Sequence, residues 1–177
     1  MSPSLELSPR DVRALVAYNR AVFERYARAV RRLRGRAAMR KRGIGHESLF
    51  GTLVHILNVQ EVWLAYIVRG RSSDAELEAL FADARRHPKD WKGFSAYAAR
   101  VWHEVEKTVR DLDRAALARR VSVFWMPGRY TVRDAILQTT MEEAHHLGEM
   151  IGALWQDDIE PPDMTWIDVN RALARRR

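Results

Sequence analysis

The six prolines stand at positions 3, 9, 88, 127, 161 and 162, and between them lie stretches whose apolar residues recur every three to four positions. Proline removes a backbone donor and clashes with the preceding helical turn, so its absence from these stretches permits long unbroken helices. The period requires each helix to bury one face. A first helix is expected to begin at Ser8 as N-cap with Pro9 in its first turn, to bury Val12, Leu15, Val16, Val22, Phe23, Tyr26, Val30 and Leu33, and to end near Gly35. The second runs from about Glu47 to Val68, with Leu49, Leu53, Ile56, Leu57, Trp63, Leu64 and Ile67 on its apolar face and Gly70 stopping it. A third spans about Trp91 to Leu112. The fourth starts at Thr131, with Asp134 three residues on, and reaches about Gln156 before Pro161-Pro162.

The connections differ in length. Arg71 to Asp90 forms a polar crossover with a short helix at about Ala75–Ala84; residues 36–45 read as a basic loop broken by Gly43 and Gly45. Asp113 to Tyr130 is expected to hold a short extended piece at Val121–Trp125 and a turn at Pro127-Gly128, and the tail a short helix around Trp166–Ala174. The fold class is therefore all-α: a four-helix bundle with a long crossover between the second and third long helices. It forms one domain over residues 1–177, with the tail from about 161 packing on it or extending from it.

The chain has no cysteine, which excludes disulfides, thiolate ligands and a cysteine nucleophile and fits a reducing, cytoplasmic compartment. No uninterrupted apolar run approaches the ~20 residues of a membrane span, and MSPSLELSPR shows no signal-peptide core, so no membrane partner is expected. The net charge of +7 is concentrated: twelve basic residues lie between Arg10 and Arg42, opposed only by Asp11 and Glu24. Such a face could attract nucleic acid or another polyanion, but a solvated helix face is the commoner meaning and no nucleic-acid motif accompanies it.

The residues able to carry chemistry lie in the fourth helix. Its core stripe reads Val132, Ile136, Thr139, Glu143, His146, Met150, Leu154, so an otherwise apolar face carries polar groups at its centre. Buried carboxylates and imidazoles are costly unless paired or metal-bound. Glu142 and His146 are four apart and Glu143 and His146 three apart, so either pair shares a helix face and could give one ion two ligands. His55, mid-way along the second helix, could give a third. Imidazole and carboxylate suit Zn, Ni, Fe or Mn. The alternatives are a packed, hydrogen-bonded His55, a Glu–His pair or a surface patch. Trp63, Trp125, Trp155 and Trp166 read as core or interface anchors. Arg129 reads as a carboxylate binder or a surface ion pair. His46 and His103 carry no signal of their own, and His87 beside Pro88 is expected in solvent.

Two segments, LVHILNVQEVW (Leu53 to Trp63) and EEAHHLGEMIGALWQ (Glu142 to Gln156), resemble in this order the DinB/YfiT-like superfamily, and Pro161 to Trp166 looks like an ending used by a prokaryotic branch of it. The resemblance implies a four-helix bundle, usually a homodimer, with three histidines holding a divalent metal: one on the second helix and an HxxxH pair on the fourth. His55 matches the first and His146 the last, while the remaining position falls on Glu142. The implied metal set is His55, Glu142 and His146, with His145, Glu143 and Glu149 as the nearest substitutes, and Glu142 marks either a two-His-one-carboxylate site or a lost one. The implied activity is a metal-dependent reaction on a small-molecule substrate. It would be either S-transfer with a low-molecular-weight thiol or hydrolysis, with Glu143 or Glu149 as orienter or base. A metal-free binding or structural dimer with a degenerate site is the alternative, and a polyanion binder ranks third.

Overall fold

The computed structural model describes residues 6–34, 36–70, 73–82 and 87–175. Helix α1 (Pro9–Arg31) opens as expected: the Ser8 hydroxyl accepts from the Asp11 amide at 3.2 Å and the Asp11 carboxylate accepts from the Ser8 amide at 2.9 Å. These two bonds satisfy donors that the first turn leaves free. Gly35, expected near its end, lies outside the described residues. Helix α2 (Leu49–Gln60) starts two residues later than expected, with Ser48 as its cap. The reason is Glu47, whose φ of 60° lies in the left-handed region and cannot belong to the helix.

Beyond Gln60 the same rod continues as a π-helical stretch, Glu61–Val68, and Gly70 (φ 73°) ends it. The wide turns bury Glu61, whose carboxylate accepts from the Tyr97 hydroxyl at 2.8 Å and from Arg100 at 2.5 Å. Helix α3 (Asp74–Ala82) lies in the crossover, and Ala84, its expected end, is outside the described residues. Helix α4 (Trp91–Arg110) is capped by Asp90, and a short α5 (Arg114–Ala118) follows.

The connection before the last long helix departs from expectation. Strands β1 (Arg120–Val123) and β2 (Met126–Thr131) form an antiparallel hairpin pairing Val121 with Tyr130 and Val123 with Met126. The turn is therefore Phe124-Trp125, and Pro127-Gly128, read from sequence as the turn, lies within β2. Gly128 supplies its φ of 105° inside a bulge of β2, which advances four residues from Met126 to Tyr130 while β1 advances two from Val121 to Val123. Helix α6 (Val132–Trp155) begins with a second reciprocal cap between Thr131 and Asp134. Helix α7 (Trp166–Ala174) docks on α1, where the Tyr18 hydroxyl donates to the Met164 carbonyl at 2.5 Å.

The bundle consists of α1, α2 with its π extension, α4 and α6 around one apolar core, in which Phe23, Tyr26, Leu53, Leu57, Met150 and Leu154 are almost wholly buried. By length and mean hydropathy, Leu49–Val68 would suffice to cross a membrane, although polar His55, Asn58, Gln60 and Glu61 interrupt it; 78% of its apolar window is buried inside the bundle, which accounts for its composition. Among the described residues no other helix is long and apolar enough. The basic stretch is extensively paired. Arg20 meets Glu24 and Glu106, Arg25 meets Asp163, and Arg40 and Arg42 share Asp157. Most of these acids come from elsewhere in the chain, where no local count of charge reveals them.

Candidate metal centre

The centre lies where α2 faces α6 and the loop before α2 folds back over both. The loop is held tightly: the Arg42 amide donates to the Glu47 carbonyl at 2.5 Å, and the Glu47 amide to the Ile44 carbonyl at 2.9 Å. The left-handed Glu47 then reverses the chain into the Ser48 cap. A non-glycine residue in that conformation is uncommon and costs roughly 1–2 kcal/mol; here it returns His46 across the first turns of α2. The His46 ring stacks on the His55 ring with centroids 3.6 Å apart and planes 17° apart. His146, from α6, stands edge-on to both, at 4.8 Å from His46 and 4.6 Å from His55. The candidate ligand nitrogens of His46, His55 and His146 all lie within 4.8 Å of one another.

Carboxylates fix the third ring. Glu149 Oε2 sits 2.8 Å from His146 Nδ1, and Glu149 Oε1 accepts from the Gly45 amide at 3.3 Å, so one side chain ties α6 to the histidine-bearing loop. The hydrogen bond from His146 holds the Glu149 carboxyl below its usual range, burial opposing. A carboxylate on Nδ1 favours the tautomer with its proton there and the Nε2 lone pair facing inward. That Nε2 meets Glu142 Oε1 at 3.3 Å, and the same oxygen is 3.8 Å from His55 Nε2. His55 Nε2 is buried and has no hydrogen-bond partner. Burial, aided by neighbouring His46, His146 and His87, pushes the His55 pKa down to about 3, so the ring is neutral at pH 7. Burial likewise lowers that of His46. With His55 also in the tautomer that presents its Nε2 lone pair, acceptor atoms from two rings and a carboxylate converge with no donor between them. A cation satisfies such a set, so the residues present fit a divalent metal.

The sequence candidates thus separate. His55, Glu142 and His146 come together, and Glu149 supports His146. His145 is exposed on the outer side of α6 and approaches Glu149 only at 3.9 Å. Glu143 turns into the core, where Gln60 donates to it at 2.6 Å and burial raises its pKa well above the carboxylate norm. The buried Asn19–Thr140 hydrogen bond adds further polar contact between α1 and α6. Arg129 is exposed on β2. His87 is exposed, as expected, yet its Nε2 lies 3.3 Å from Asn58 Nδ2 at the edge of the centre.

The sequence profile of the DinB superfamily matches residues 18–150, a span that includes His46, His55, Glu142 and His146. The chain belongs to the DinB superfamily. No curated protein matches it. Within this DinB-superfamily bundle the residue missed from sequence is His46, read as carrying no signal. A loop residue has no period to betray it. The available clue was its place: two residues before the helix cap Ser48, behind Gly43 and Gly45, where a tight return brings a side chain over the helix that follows.

Proposed function

We propose that this protein is a divalent-metal-dependent enzyme acting on a small molecule, with His46, His55 and His146 holding the ion and Glu142 at its edge. The observation that carries this reading is the orphaned, buried Nε2 of neutral His55, converging with His146 Nε2 on one Glu142 oxygen. A divalent ion there (Zn, Ni, Fe or Mn) would supply Lewis acidity that makes a thiol or a water a better nucleophile, for S-transfer with a low-molecular-weight thiol or for hydrolysis. Glu149 orients His146 and holds the His46 loop. Glu142, partly exposed, is placed to hold a proton at the rim. A cavity of about 400 Å³ lined by His46, Phe50, His55, His87 and Pro88 gives the approach.

The test is elemental mass spectrometry on untagged protein purified without chelator, beside the His55→Ala/His146→Ala double variant. About one ion per chain in the first and none in the second is expected; no ion in either, after incubation with Zn, Ni, Fe and Mn, overturns the reading. A second reading has its own observation. His146 lies between Glu142 and Glu149, an arrangement that an imidazolium satisfies without metal, as in a metal-free bundle. That reading expects chelator to leave stability unchanged.

The same proposal places the protein in the cytoplasm, where thiols stay reduced, and as a homodimer. Helix α6 supports the dimer: exposed Met141 and Trp155 flank Gly148 and Gly152, beside which a Cβ would meet nothing within 4 Å. Light scattering at twice the chain mass is the expected result.

A further inference from the structure

A second cavity, of about 440 Å³, adjoins the histidine centre through His55 and is lined by His55, Asn58, Val59, Val62, Trp63 and the hairpin-turn pair Phe124 and Trp125. Its size falls in the range of small-molecule sites, roughly 300–1,000 Å³. Its walls are aromatic and mutually braced. Trp63 meets Trp125 edge-to-face at 5.8 Å, and Phe124 meets Trp125 edge-to-face at 4.9 Å. Besides the indole N–H groups of Trp63 and Trp125, the polar groups among its lining residues are the amide of Asn58, whose Nδ2 lies near His87 Nε2, and the imidazole of His55, whose buried Nε2 has no hydrogen-bond partner.

The hairpin turn supplies an independent observation. The turn positions are Phe124 and Trp125, neither of which has a positive φ, so the turn itself asks for no particular residue type, and Phe124 is 46% exposed. Large aromatics at such a tip do nothing for the turn, and these two line the cavity.

We propose that this cavity binds the uncharged aryl or alkyl body of the substrate, whose electron-donating polar end reaches the histidine centre. No charged side chain lines the cavity among the described residues, so a charged body would lose its hydration without compensation. The more polar cavity beside His46 and His87 shares His55 with this one, leaving it to the polar end and any co-substrate. The substrate class is therefore a small amphiphile with one flat apolar half. This inference rests on the metal reading for the placement of the polar end.

Three probes separate the two ideas: 3-phenylpropionohydroxamic acid, acetohydroxamic acid (the same chelating head without the ring) and 3-phenylpropanamide (the ring without the chelating head). Binding to the full chain, zinc-loaded and metal-free, is followed by tryptophan fluorescence and calorimetry. With zinc, the aryl hydroxamate is expected to bind at least about tenfold tighter than acetohydroxamate, since burying a phenyl ring outweighs the cost of ordering it. In Val59→Asp and in the exposed-site variant Phe124→Ser, with zinc content unchanged, that preference should fall to about threefold or less, because each removes apolar wall. Equal affinity of the two hydroxamates, or a preference untouched in both variants, overturns the proposal. If the chain takes up no zinc, the metal reading fails. The pocket then stands only if the amide binds the metal-free protein and Val59→Asp abolishes it; absence of that binding overturns the pocket as well.

Discussion

Replacing His46 by phenylalanine separates its ring from its nitrogens. The phenyl ring can keep the 3.6 Å stack on His55 while removing one of three candidate ligands. Loss of a group that merely orients a ligand lowers metal affinity about 10- to 100-fold, so loss of a ligand costs at least that. With zinc at about 100 times the wild-type dissociation constant, binding to the native state alone stabilises it by about 2.7 kcal/mol. For a chain of this length that raises the melting temperature by about 5–11 °C. A 10- to 100-fold weaker site at the same zinc leaves about 0.4–1.4 kcal/mol, a rise of about 1–6 °C. The assay is a thermal melt of each protein with and without zinc after chelator treatment, with metal content measured in parallel. Without zinc the variant should melt close to the wild type, because the loop is held by its backbone and by Glu149. A His46→Phe protein whose melting temperature rises with zinc as much as the wild type refutes the assignment of His46.

Three further expectations follow from the same geometry. Gly51→Ala builds a Cβ 2.4 Å from the His46 carbonyl oxygen, a backbone atom, so the loop must shift; zinc affinity measured by competition with a chromophoric chelator should fall although no ligand has changed, and unchanged affinity would contradict the loop's role. Glu149→Ala removes both the His146 Nδ1 partner and the Gly45 tether; by the same titration affinity should drop about 10- to 100-fold, against little change if His146 is positioned by packing alone. In metal-free protein His55 has a folded pKa of about 3 against an ordinary 6.5, so between those values the unfolded chain binds a proton that the native one does not. Stability is then full above about pH 6.5 and declines as pH falls toward 3, by at most about 1.4 kcal/mol per pH unit from this group; urea midpoints at pH 7.5, 6.5 and 5.5 should fall less steeply in His55→Gln, and an equal or steeper fall there would refute the buried neutral imidazole.

Where structure follows from local rules, the sequence was readable. Ser8 with Asp11 and Thr131 with Asp134 mark helix starts that the hydrogen bonds reproduce, and the stripe from Val132 to Leu154 is buried residue for residue. The π-helical stretch left no such trace, because widening the turns from Glu61 to Val68 still buries nearly every side chain and an all-round apolar segment has no phase to read. The hairpin was misplaced because Pro-Gly is a stronger turn signal than Phe-Trp, and the aromatic pair is better explained by the cavity it lines than by the turn it makes. Glu142 and Glu143 differ by about 100° around α6, and spacing to His146 permits either. Packing separates them: Gln60 supplies a partner only on the interior side, while His55 and the rim lie on the other. One carboxyl consequently lies in the core, where burial raises its pKa, and its neighbour stays partly exposed beside the rings. The proposed function needs a carboxylate in that second position, within reach of solvent and of the three rings. Packing therefore sets Glu142 beside the rings and Glu143 in the core, and the sequence order of the two gives no hint of it.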